Sequence, residues 1–110
     1  MEELTLPQVA KKLEKYIMTL PAAKRFNTLS SEPRKAMMAL TDSVYSLRVA
    51  TERYFHADDS AEQQLFLEEA GIQVKLTGDQ ILMASSFDLL GPADVAHLSA
   101  LAEHIKERLQ

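Results

Sequence analysis

Cysteine and tryptophan are missing from this sequence, and its 110 residues include only 3 glycines and 4 prolines. Without cysteine there is no disulfide framework, no thiolate metal site and no thiol nucleophile, a composition that fits a reducing compartment. So few glycines and prolines leave room for few connections, and the elements between them are expected to be long. No apolar run approaches the roughly 20 residues that span a bilayer. The start is acidic at Glu2 and Glu3, and Lys11, Lys12 and Lys15 break the first apolar stretch, so no secretory leader is read there. No glycine-rich loop follows a strand, which leaves no phosphate cradle. The expectation is one soluble, cytoplasmic domain over residues 1–110.

What the chain does have is hydrophobic residues, 46% of the total, set at helical spacing. Met37, Leu40, Val44, Leu47, Thr51 and Tyr54 recur at three and four, the seam of a helix packed at shallow angles on others. This long helix starts at Ser30 or Ser31 and runs to about His56. Ahead of it, Thr5 as N-cap and Pro7 in the first turn open a helix carrying Val9, Leu13, Tyr16, Ile17 and Leu20 on one face. Pro21 stops that helix, and Phe26 and Leu29 are expected to pin the connecting loop to the bundle end.

Ser60 and Gln63 suggest a capping box for a third helix reaching about Leu90. Its heptad-like face, Leu65, Ile72, Leu76, Met83, Phe87 and Leu90, is read as the packing face. Gly71 and Gly78 inside it suggest either close approach of a neighbouring backbone or a break near Gly78, with continuity favoured by the unbroken register. Gly91 is expected as a left-handed C-cap, with Pro92 opening a fourth helix whose seam is Val95, Leu98, Ala102, Ile105 and Leu109. The whole reads as an all-α, up-down-up-down four-helix bundle.

Chemistry is sparse. Glu52 with His56 and Asp94 with His97 have helical neighbour spacing, but bundle metal sites need such pairs on two helices with carboxylates inward from the others. No metal, cofactor or small-molecule substrate is read from these residues. His97 and His104, seven apart, line one flank of the fourth helix and are a candidate subunit contact. Ser85 and Ser86 lack a foreseeable base, so no enzyme is expected.

Charge is the more informative signal. Residues 1–53 hold nine basic groups against six acidic ones, a balance of +3, and residues 54–110 hold three against ten, −7. The basic groups are Lys11, Lys12, Lys15, Lys24, Arg25, Arg34, Lys35, Arg48 and Arg53. They read either as a face for a polyanion or a second copy, or as helices attracting their acidic neighbours within one bundle. Overall the chain is acidic, with a pI near 5.3, below the range of a dedicated nucleic-acid binder. Tyr45 and Phe55, off the seam of the long helix, are the candidate oligomer contacts.

Tyr16, Leu20-Pro21 and Lys24-Arg25-Phe26 before a long helix, then Leu67-Glu68-Glu69-Ala70, then Leu98-Ser99-Ala100-Leu101, form an ordered pattern. In this the chain resembles a family of small bacterial four-helix bundles. The family includes the accessory variability determinant of diversity-generating retroelements and the proteins encoded within ribosomal RNA intervening sequences. The resemblance implies a homopentamer that associates with the element's reverse transcriptase and its RNA. It places Lys24 and Arg25 at the family's basic corner, with Arg34, Arg48 and Arg53 as further candidates. Two departures stand out: retroelement members tend to be basic and carry a glycine-rich, tryptophan-containing tail, and this chain is acidic without tryptophan. A protein-only interaction bundle, whose acidic carboxy-terminal half docks a basic partner, is the alternative.

Overall fold

The structure is a computed structural model that describes residues 4–109. Glu2 and Glu3, on which the reading of the start rests, lie outside the described residues. Five α-helices occur within them: α1 (Leu6–Met18), α2 (Pro21–Lys24), α3 (Ser31–His56), α4 (Ser60–Ser86) and α5 (Pro92–Leu109), with a single 3-10 turn at Phe26–Thr28. The four long helices form the expected all-α bundle. In it α3 and α4 make a long hairpin, α1 packs on α3 and α5, and α5 closes back on α4.

The helix starts follow their caps. Thr5 and Gln8 make a reciprocal capping box, with Thr5 N–H donating to Gln8 Oε1 at 2.8 Å. At α4 the cap is Asp59, whose Oδ1 accepts from Glu62 N–H at 2.8 Å. Ser60, read as the cap from sequence, is the first helical residue, and Gln63 turns back to donate to the Ala57 carbonyl. An ionised carboxylate at the positive helix end is the stronger acceptor, so Asp59 takes the position.

The end of α4 also differs from the sequence reading. Asp88, not Gly91, is left-handed (φ 59°), and no described glycine has positive φ. Leu89 N–H reaches back to the Ala84 carbonyl and Asp88 N–H to that of Ser85, a Schellman closure with Asp at the residue glycine usually fills. Asp is among the few residues that tolerate this region. Gly91 instead precedes Pro92 at the start of α5, where its N–H donates to Asp94 Oδ2 at 3.1 Å.

Of the predicted face of α3, Met37, Leu40, Val44, Leu47 and Thr51 are essentially inaccessible, while Tyr54 is half-buried and packs against the core. Thr51 is accommodated because its hydroxyl donates to the Arg48 carbonyl at 2.8 Å. On α1, Val9, Leu13 and Ile17 are buried with Leu20 beyond them, and on α5 Leu98, Ala102 and Ile105. Phe26 and Leu29 pack against this core and hold the corner, as expected.

The inward face of α4 is not the heptad-like stripe. Buried residues there are Ala70, Val74, Thr77, Ile81 and Ala84, whereas Leu65, Ile72, Leu76 and Met83 are exposed; of the predicted face Leu90, beyond the helix end, is in the core and Phe87 is half-buried. The cause lies on α3, where Ala36, Ser43 and Ala50 repeat at seven and are buried in turn. Thr77 Oγ1 sits 3.4 Å from Ser43 Oγ. From that pair, antiparallel register brings Ala36 level with Ala84 and Ala50 level with Ala70. Small residues at every crossing let the two backbones approach, and that closeness selects the face. Gly71 and Gly78 do not mediate it: a Cβ at either would have nothing within 4 Å. The helix continues through both.

Candidate polyanion interface

The corner between α1 and α3 is built by chain stiffness. Pro21 begins the one-turn α2, Ala22 beneath it is buried, and the 3-10 turn folds Phe26 inward. Arg34 then locks the corner: its Nη2 donates to the carbonyls of Leu29 at 2.8 Å and Asn27 at 3.2 Å. Its guanidinium stands 6.0 Å from the Phe26 ring centroid. Arg25 Nε donates to the Pro21 carbonyl at 3.4 Å, and Lys35 pairs with Glu32 at 3.5 Å in full solvent. Lys24 is exposed at the end of α2.

Along α1, Lys11, Lys12 and Lys15 are exposed, opposite the buried stripe Val9, Leu13 and Ile17. Among the described residues, Lys11, Lys12, Lys15, Lys24 and Arg25 have no carboxylate within 4 Å, since the ion pairs there are confined to Lys35 and Arg48. The five form a basic edge that descends α1 and ends at the corner.

The other two arginines are held by the bundle. Arg48 Nε donates to Glu14 Oε1 at 2.8 Å and Nη1 to Glu52 Oε1 at 2.9 Å, tying α1 to α3. Chiefly through Glu52, this keeps the guanidinium pKa above its ordinary value. Its Cζ also lies 5.2 Å from the Tyr45 ring centroid. Arg53 lies 5.8 Å from the Phe66 ring centroid, bridging α3 and α4. Nine cations legible in sequence thus divide into an outward edge of five, the Lys35–Glu32 surface pair and three arginines that hold the fold.

Tyr45 and Phe55 are both exposed, but ten residues at about 100° each put them roughly 80° apart on α3. Tyr45 joins a groove between α3 and α4 with Val49, Leu65 and Phe66, while Phe55 stacks edge-on with His56 near the hairpin tip. They do not share one face.

Sequence reasoning missed the contact that fastens α1 to α5. Tyr16 Oη donates to Asp94 Oδ1 at 2.7 Å, and His97 stacks on the Tyr16 ring at 4.4 Å. His97, on the flank of α5, therefore meets α1 within the same chain. The hydrogen bond to Asp94 leads the effects that raise the Tyr16 pKa, so the phenol is a fixed donor and not an activated base. Nothing in the spacing of residues 78 apart announces such a pair. Among the described residues no three histidines or carboxylates converge as metal ligands, and no helix is long and apolar enough to cross a membrane. No protein-family model, characterised protein or solved structure matches this chain.

Proposed function

We propose that this chain is a non-enzymatic accessory protein of a diversity-generating retroelement, acting in the cytoplasm and contacting the element's RNA or its reverse transcriptase. The observation that carries the reading is the basic edge of Lys11, Lys12, Lys15, Lys24 and Arg25, whose charges are not neutralised by described carboxylates. Flexible ammonium groups on a rigid helix suit backbone phosphate, which is bound by charge without reading sequence. The ordered motif pattern supplies the retroelement context. The test is binding of a structured RNA across a salt series. Log affinity should fall linearly with log salt, and reversing Lys24 and Arg25 to Glu should flatten that slope while the thermal melt stays unchanged. Affinity indifferent to salt and to the reversal would overturn it.

A second reading, a bundle that binds only protein, is favoured by one observation: α4 leaves Leu65, Ile72, Leu76, Leu82 and Met83 exposed. Such a contact would respond weakly to salt.

A further inference from the structure

On α4 large apolar residues are not confined to the core. The core face holds Ala70, Val74, Thr77, Ile81 and Ala84, while Leu65 (61% exposed), Ile72 (56%), Leu76 (41%) and Met83 (51%) face solvent. Spaced at seven, four and seven, these four fall within about 40° of one another on the helix. Single exposed leucines are ordinary, whereas an aligned row along one helix is the mark of a face that packs. A helix apolar on two sides is a helix with neighbours on two sides, and within this chain only the small-residue side and the α5 side are occupied.

The spacing identifies the occupant. Leu65 and Met83 lie nine residues either side of Val74, and Ile72 and Leu76 lie two either side. The stripe therefore reads the same in both directions. Laid antiparallel on a second copy, Leu65 meets Met83 of that copy and Ile72 meets its Leu76, each pairing occurring twice. This is the requirement of an isologous two-fold contact.

Charge on α3 obeys the same axis. Given Ser43 level with Thr77, Ser46 is level with Val74. Asp42 and Arg53 are eleven residues apart, which places them within about 20° of each other on α3, Asp42 exposed and Arg53 at the lip of the groove. A two-fold passing between Ser46 and Val74 brings Arg53 within one helical turn of Asp42 of the second copy. The groove joining Arg53 and Val49 to Leu65 shows that the two helices present one continuous surface there. From Leu65 to Met83 the stripe runs about 27 Å at 1.5 Å per residue, over two helices some 8–10 Å apart.

We infer that the outer face of the α3–α4 hairpin binds a second copy of this chain, antiparallel, about a two-fold axis at Val74 and Ser46. The inference is independent of RNA binding and differs from the five-fold ring implied by the resemblance. The absence of cysteine supplies a direct test of register. Leu65→Cys protein mixed with Met83→Cys protein should form a disulfide-linked pair under mild oxidation, and neither should crosslink efficiently alone. In sedimentation the full chain should be a dimer at micromolar concentration. Ile72→Glu with Leu76→Glu should make it a monomer of unchanged helical content. Asp42→Arg and Arg53→Asp should each weaken the dimer at least tenfold, and combining them should restore it. A wild-type monomer at 100 µM, a pentamer insensitive to the Ile72 and Leu76 changes, or crosslinking of each cysteine variant with itself in preference to the mixture would overturn the inference.

Discussion

Two long helices lie side by side in this bundle and handle apolar residues in opposite ways. α3 turns Met37, Leu40, Val44 and Leu47 into the core, while α4 offers Ala70, Val74, Thr77, Ile81 and Ala84 and leaves Leu65, Ile72, Leu76 and Met83 outside. The difference teaches that side-chain size does not assign the core. Interhelix distance does, and where Ala36, Ser43 and Ala50 meet Ala70, Thr77 and Ala84 that distance leaves no room for leucine.

The largest expected effect tests the contrast directly. Leu47→Ala removes a fully buried side chain and should cost about 2–5 kcal/mol in denaturant unfolding. Leu76→Ala, the same chemical change on the outward stripe, should cost under about 0.5 kcal/mol for an isolated protomer. Equal losses would mean that the stripe is core. Next in size is overpacking: Ala70→Leu or Ala84→Leu should destabilise by about 1–3 kcal/mol, because the added methylenes must separate α3 from α4. If either variant is as stable as the parent, the close seam is wrong.

These helices also mark how far the sequence can be read. The seam of α3 is legible because large residues at three and four have no competing interpretation, and the starts of α1 and α3 are legible from Thr5, Pro7 and Ser30. The working face of α4 is not, because Ala70, Thr77 and Ala84 carry little apolar weight, and Val74 and Ile81 alone do not outweigh a clean row of Leu, Ile, Leu and Met. Its signal was nonetheless present in two matching repeats at seven, Ala36-Ser43-Ala50 and Ala70-Thr77-Ala84. Of the candidate interface, the exposed lysines follow from their place opposite the stripe on α1. The separation of Arg34 and Arg48 from them does not, since it depends on the carbonyls of Asn27 and Leu29 and on Glu14, groups whose approach is decided only by the fold.

A smaller effect sharpens the same contrast. Gly71 and Gly78 lie in open grooves between α4 and α5, with ordinary helical backbone and nothing within 4 Å of where a methyl group would stand. Gly71→Ala and Gly78→Ala should therefore each stabilise the protein by about 0.5–1 kcal/mol. A loss of stability instead would place a close neighbour at these positions and return the seam to the glycines.

The smallest expected effect concerns α1 and α5, whose contact relies on polar fastening in place of a small-residue seam. Asp94 holds the Tyr16 phenol in its neutral form, raising its pKa above the ordinary value near 10. In the unfolded chain the phenol ionises at that ordinary value, so between it and the raised folded value the unfolded state has released a proton that the folded state keeps. The contribution is complete below about pH 10 and is lost as pH rises through the folded pKa. Tyr16→Phe keeps the ring that stacks on His97 but removes the donor, so its melting temperature should be slightly below that of the parent at neutral pH. The gap should close above about pH 10, while Leu47→Ala, which involves no proton, should keep its deficit across the same range. Equal melting temperatures at neutral pH would mean that the ring, and not the hydrogen bond to Asp94, fastens α1 to α5.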